Sequence, residues 1–501
     1  MGKSFIISAR IWALVFFCSS SLSGQGYFEM SPEVIAAYES VTRLRMDEAK
    51  QKIARVKSTE PDNLLIYLVE NYIDFFDLFI NEEEGTYDKI KANKKRRLEL
   101  IKEGDKSSPF YLFCIAEINL QWATAGLKFG ERIGPMRQVY SAYNLLKENQ
   151  ANHPDFVANK KSLSIIHALS ESLPGIVRTL FNVKGSIEQG TQEIADLAEY
   201  SDNHEDFVFR EETYAIYAYI LFYQNNEKEK AYNILKAANL DFTASPLLCF
   251  LMANITQKTG RNDEALEILK ARPQGSEYMP FYYLDFMYGK YLLYKLDNGA
   301  LDHMNVFIEN FKGRHFIKEA YQKLAWYALA ADENIVHYKE QMANCISKGN
   351  TLVDEDKQAQ KEAKHNDIPN VSLLQARLLY DGGYYQKAYQ KLVLQAHQFT
   401  DNKQLIEFNY RMGRITQALG NLTGAIDYYL QTINRGENQD SYFACNSALQ
   451  TALIFEDQKE YKKAKQLFKR CLKIEPAEYQ ASLHQKAKSG LARIKIGLRK
   501  K

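Results

Sequence analysis

Residues 441–479 read SYFACNSALQTALIFEDQKEYKKAKQLFKRCLKIEPAEY, and the reading of this stretch decides the fold. Apolar and small residues recur every three to four positions over Ser441–Asp457 and again over Glu460–Ile474, which predicts two amphipathic helices. The polar run Asp457-Gln458-Lys459 joins them as a tight turn. Ala452 and Ala464 lie twelve apart, one on each helix, where two antiparallel helices touch most closely. Phe468 and Cys471 follow Ala464 on the same face, at i+4 and i+7. Pro476 lacks an amide hydrogen and ends the second helix.

The pattern repeats upstream. Ala231, in EKEKAYNILKAANL, is followed 34 residues later by Ala265 in GRNDEALEILKARP. Ala388 in GGYYQKAYQKL leads to Ala425 in GNLTGAIDYYL, 37 on, and Ala464 comes 39 after that. A small residue stands twelve before four of these markers, at Ala253, Ala376, Gly413 and Ala452. Two further pairs are expected over Tyr282–Phe311 and Ile317–Ile346, and Ala37, Ala49 and Pro61 keep the twelve-and-twelve spacing near the start. A helix pair repeated every ~34 residues cannot bury its apolar face alone and does so by stacking on its neighbours. The expected fold is all-α, a solenoid of stacked antiparallel helix pairs.

The order of small residue, alanine, aromatic and terminal proline in residues 441–479 resembles a tetratricopeptide repeat. The family's tryptophan near the start is absent, and Ala452 replaces its glycine. The resemblance implies a non-enzymatic protein that binds a protein or peptide in its groove. A second, looser similarity is to a eukaryotic tetratricopeptide family linked to organelle outer membranes and lipid or inclusion handling. It rests on Ser172-Leu173-Pro174, Gly185, Gly190 and YYLDFMYGKYLL at Tyr282–Leu293.

Five segments are expected. Residues 1–24 read as an export signal: Lys3 and Arg10, the apolar Ile11–Phe17, then small residues, with cleavage near Gln25. The alternative is an uncleaved anchor. Phe17 before Cys18 argues against lipid attachment, and Ile6 against myristoylation. Residues 25–200 form irregular N-terminal helical repeats, with Pro174-Gly175 breaking the apolar stretch Ser162–Val183. Residues 201–347 and 370–501 hold the repeats, the latter closed by a basic capping helix. Residues 348–369, nearly devoid of apolar side chains, are expected as a polar loop or linker.

Lys+Arg and Asp+Glu number 64 and 62, which argues against a nucleic-acid protein held by a general positive field. The 33 tyrosines and 27 phenylalanines fit helices packed through aromatic ridges. Cys114, Cys249, Cys345, Cys445 and Cys471 are scattered without paired spacing, so neither a disulfide framework nor a zinc site is expected. The histidines lack metal spacing, and nucleophile elbows, phosphate loops and dinucleotide glycine patterns are absent from the sequence. No catalytic residue, cofactor or metal is expected. Of three glycosylation-type triplets, the one at Asn254 lies in a packed first helix, which favours bacterial export.

In stacked pairs the first helices line the groove. That geometry points Arg377, Tyr380, Glu407, Tyr410, Arg414, Gln417, Asn446 and Glu456 inward, with Asn370 beside them. The family's carboxylate clamp uses lysines where Leu373 and Leu449 stand, so that activity is not carried over. The leading expectation is an exported scaffold or adaptor of a Gram-negative cell envelope or periplasm. Alternatives are an accessory of nutrient or polysaccharide capture, and a lipid-associated protein, with membrane contact not favoured.

Overall fold

The computed structural model describes residues 25–170, 184–365 and 367–499, and among them all regular structure is helical. Residues 1–24, read above as an export signal, and Pro174-Gly175 lie outside the described residues. In chain order the helices are α1 (Pro32–Thr42), α2 (Met46–Thr59), α3 (Ile66–Phe76), α4 (Thr86–Ile101), α5 (Pro109–Lys128), α6 (Ile133–Asn152), α7 (Asn159–Ser170) and α8 (Ile187–Asn203). They continue with α9 (Arg210–Tyr219), α10 (Lys228–Ala238), α11 (Pro246–Lys258), α12 (Asn262–Lys270), α13 (Tyr283–Tyr294), α14 (Ala300–Asn310), α15 (Ile317–Ala330) and α16 (Ile335–Ser347). The last eight are α17 (Asp354–His365), α18 (Val371–Asp381), α19 (Tyr385–Val393), α20 (Asn402–Ala418), α21 (Leu422–Gly436), α22 (Phe443–Asp457), α23 (Tyr461–Lys473) and α24 (Gln480–Arg499). Wider π turns, Asp77–Asn81 and Ile220–Gln224, prolong α3 and α9.

Helix starts follow local chemistry. Ser31, Ser108 and Ser245 each accept an amide hydrogen of the first turn, and each precedes a proline whose missing N–H costs nothing there. The turns between paired helices share one backbone device. Five residues before Ala49, Ala231, Ala265, Ala388, Ala425 and Ala464 stand Leu44, Asn226, Gly260, Gly383, Gly420 and Lys459. All six are left-handed, with φ from 57° at Leu44 to 82° at Gly420. The same conformation in the same place, with six different sequence contexts, marks a repeated hairpin. Those six alanines are fully buried, as are Ala253, Ala376 and Ala452 on the partnering helices. The chain is an α-solenoid of stacked antiparallel helix pairs.

The solenoid is tightly curled. The turn of the first pair meets the segment before α13, where the Met279 amide donates to the Leu44 carbonyl at 2.8 Å and Arg45 donates to the Tyr278 hydroxyl at 3.0 Å. Further along, the α11–α12 turn meets the α18–α19 turn. Gln257 donates to the Asp381 carbonyl at 2.7 Å and Asn262 to the Tyr384 hydroxyl at 3.0 Å. A Cβ on Gly383 would sit 2.1 Å from the Gly260 carbonyl oxygen, so the two turns touch backbone to backbone.

The N-terminal helices are joined by a buried polar cluster. Lys161 of α7 is 1% exposed and pairs with Glu117 of α5 at 2.8 Å and Glu212 of α9 at 2.7 Å. Tyr38 of α1 and Tyr72 of α3 both donate to Glu212. Five helices thus meet on one ammonium, which the Phe209 ring also faces at 4.7 Å.

The reading of 348–369 as a polar loop or linker is corrected, because Asp354–His365 forms α17. Only Ala359 and Ala363 give it a buried apolar face, too little for a pattern to show. Polar bonds hold it instead. The Asp356 carboxylate accepts the Phe316 amide at 2.7 Å and the Glu319 amide at 3.0 Å, capping α15 from outside. Lys361 pairs with Glu478 at 3.3 Å and donates to the Ala477 carbonyl at 3.0 Å, so α17 reaches from α15 to the α23–α24 connection.

Candidate functional site

The first helices α15, α18, α20 and α22 turn their inner faces toward one another. On α15 the inner residues are Glu319, Gln322, Lys323 and Trp326, spaced i, i+3, i+4 and i+7 on one stripe. Two cations approach the Trp326 ring, with Lys323 Nζ 3.8 Å and the Arg377 guanidinium 4.2 Å from its centroid. One step along the stack, the Arg414 guanidinium lies 4.1 Å from the Tyr380 centroid and 5.9 Å from that of Tyr410.

Neither arginine is consumed by an acid. Glu362 of α17 accepts from Gln322 at 2.7 Å and from Trp326 Nε1 at 2.6 Å, which leaves Arg377 4.0 Å away. Asp381 is also 4.0 Å from Arg377, beyond hydrogen-bond reach. Among the described residues Arg414 forms no ion pair. Burial, the largest single influence, would lower the Arg377 pKa, but the charges of Glu362, Tyr442, Asp381 and Glu407 together outweigh it and the net direction is up. A guanidinium held over a ring and not paired with an acid retains N–H donors for a bidentate carboxylate or a row of carbonyls.

Beneath this face the charges are buried. Glu319 lies 3.4 Å from Lys290 and 3.6 Å from Lys323, and its second oxygen has no hydrogen-bond partner. Burial favours neutral Glu319, yet the Lys290 and Lys323 charges hold its carboxyl below the usual range. Burial pushes the Lys323 ammonium down to about 8 against the pull of Glu319.

The residues expected to face the groove divide. Arg377, Tyr380 and Arg414 come together as its partly exposed face. Glu407 borders it and accepts from Arg411 Nε at 2.8 Å. Asn446 borders it from α22 and donates to the Tyr410 hydroxyl at 2.7 Å. The placement of Tyr410 on the open face is corrected: it is 1% exposed, packed against Phe443 and Tyr442 at 4.8 and 5.7 Å. Gln417 accepts from the Tyr429 hydroxyl at 2.7 Å and braces its own hairpin. Glu456 takes two bonds from Arg493 of α24, at 2.8 and 2.7 Å, and serves the end of the array. Asn370 caps α18, accepting the Ser372 and Leu373 amides.

Trp326, Lys323, Glu319 and Glu362 escaped the reading of the sequence. Charges four apart on a helix read as a solvated face. The available signal was Trp326 seven after Glu319, which places a large ring on the same stripe as the charges.

Among the described residues no cluster of three His, Cys, Asp or Glu side chains has a metal-holding arrangement, and no helix is long and apolar enough to cross a membrane. No family model matches the chain, and no curated protein matches its sequence. Among solved structures it is similar to that of Naa15/Naa10 bound to HypK-THB, with 12% identity over 92% of this chain and a TM-score of 0.25. The chain spans 66% of that protein's length. It is also similar to yeast Tom70, with 12% identity over 93% of this chain and 97% of Tom70, and a TM-score of 0.23. At these scores neither likeness informs the choice of partner.

Proposed function

We propose that the chain is a non-enzymatic protein-binding scaffold or adaptor whose partner segment docks on Arg377, Tyr380 and Arg414. One observation carries the reading. Two arginines at equivalent positions of successive repeats are stacked on aromatic rings, with no carboxylate within hydrogen-bond distance of either. An arginine serving only the fold is ordinarily satisfied by acids or carbonyls, whereas these two keep their donor edges for something else. Arginine and aromatic side chains also dominate the energetics of protein interfaces. The test is binding of peptides selected on the chain, compared between wild type and an Arg377→Ala, Arg414→Ala double variant of unchanged melting profile.

The proposed setting is the cell envelope of a Gram-negative bacterium, after removal of residues 1–24. The lysine and arginine preceding the apolar run Ile11–Phe17 support it, as does the anchoring of the residues just after the expected cleavage point. The Asp105 amide donates to the Gly26 carbonyl at 2.7 Å, and the Tyr27 amide to the Asp62 carbonyl at 2.8 Å. A mature chain beginning near Gln25 by intact mass supports export with cleavage; a retained N-terminus contradicts it.

A further inference from the structure

Five cysteines are buried in the described fold, and two of them meet. Cys445 on α22 and Cys471 on α23 bring their sulfurs to 3.6 Å, and the Cys445 Sγ also lies 3.5 Å from the Cys471 carbonyl oxygen. Hairpin register explains the meeting. Cys445 stands seven before Ala452 and Cys471 seven after Ala464, so the two are mirror positions about the close contact of antiparallel helices. No short spacing such as CxxC announces the pair, because its partners sit 26 residues apart on facing helices.

We infer that Cys445 and Cys471 are a redox-active dithiol that closes into an intrachain disulfide, cross-linking the last helix hairpin of the repeat array. A disulfide needs its sulfurs at ~2.05 Å and its Cβ atoms at ~3.8 Å. The oxidant is a low-molecular-weight disulfide, which reaches the fully buried pair when the last hairpin opens locally. One thiol of the pair loses its proton and attacks one sulfur of that disulfide, forming a mixed disulfide and releasing one thiolate. The other thiol then loses its proton and attacks the first cysteine's Sγ, expelling the second thiolate. Two protein thiols become one disulfide, and the oxidant leaves as two thiols. Either sulfur of the pair can be the donor to the other, so the two thiols exchange the attacking and resolving roles without changing the product.

The other cysteines of the described fold lie elsewhere. Cys114, Cys249 and Cys345 sit on α5, α11 and α16, outside the last hairpin, and burial pushes all three thiols up. The bond would also steady the groove. Asn446, next to Cys445, holds the Tyr410 hydroxyl, so a fixed α22–α23 hairpin fixes the wall against which Tyr410 packs.

The experiment uses the purified full-length chain, reduced and then equilibrated with mixtures of reduced and oxidised glutathione. Free thiols are alkylated in denaturant, and the digest is read by mass spectrometry. The expected result is a single linked peptide pair joining Cys445 to Cys471, with Cys114, Cys249 and Cys345 alkylated. The linked fraction rises with the proportion of oxidised glutathione, and the oxidised chain melts at a higher temperature. Alkylation of both Cys445 and Cys471 under the most oxidising mixture overturns the inference. So does their recovery linked to other cysteines, or only to glutathione.

Discussion

The guanidinium of Arg414 covers the ring of Tyr380 at 4.1 Å, and Arg377, 37 positions earlier, covers Trp326 in the same way at 4.2 Å. Each arginine rests on an aromatic of the preceding first helix, so the stack carries a ladder of cation–ring contacts along its inner face. If the contact holds α20 to α18, Arg414 and Tyr380 are energetically coupled. A double-mutant cycle of Arg414→Met and Tyr380→Leu, read by thermal unfolding, should give a coupling of about 0.5–1 kcal/mol. A coupling of zero within error contradicts the contact.

The Lys161 cluster predicts a dependence on pH. The Lys161 charge, with hydrogen bonds from Lys161 and the two tyrosines, outweighs burial and holds the Glu212 carboxyl below its ordinary value. That pair's stabilisation is therefore present above the usual glutamate range and is lost as pH falls through the lowered pKa. Lys161→Met strands two buried carboxylates and should cost about 3–5 kcal/mol near neutral pH. In the variant burial, no longer opposed by Lys161, pushes the Glu212 carboxyl up, so it takes up a proton on folding and the deficit shrinks as pH falls. Denaturant titration at several pH values checks this. A deficit that widens toward low pH contradicts it.

Helix α17 shields Trp326, which is 1% exposed and bonds through Nε1 to Glu362. Deleting residues 354–365 should leave the helical circular-dichroism signal nearly intact and shift tryptophan emission to the red. Unchanged emission in a folded deletion variant contradicts the contact of α17 with α15.

The sequence carried the repeat register well, because buried alanines at hairpin contacts have no alternative role. Ala231, Ala265, Ala388, Ala425 and Ala464 all occupy the expected second helices. What it hid follows from two physical causes. First, α17 is held by carboxylates on backbone amides and on a tryptophan, and such bonds leave no apolar period to detect. Second, helical spacing tells which side of the groove a residue faces but not what covers it, and the aromatics at the start of α22 cover part of that face. Tyr410, correctly placed four before Arg414, consequently lies under Tyr442 and Phe443 and not at a free surface. The left-handed turn residues were equally illegible, since Leu44, Asn226 and Lys459 adopt the conformation that Gly260, Gly383 and Gly420 announce.

Ala464 is fully buried where α23 meets α22. Ala464→Trp places a large ring in that contact, and overpacking of this kind costs about 1–3 kcal/mol. Differential scanning calorimetry should show a lower melting temperature for the C-terminal part of the array. Melting that matches wild type contradicts the register derived from residues 441–479.

The central claim is that the face built from Arg377, Tyr380 and Arg414 binds a partner segment. Peptides selected from a random library on the wild-type chain supply the probe, and fluorescence anisotropy supplies the Kd for wild type and for the Arg377→Ala, Arg414→Ala double variant. Residues that dominate interfaces are worth ~2 kcal/mol or more each, so the double variant should bind at least about 30-fold more weakly with its melting profile preserved. Equal affinity in the folded double variant would contradict the claim.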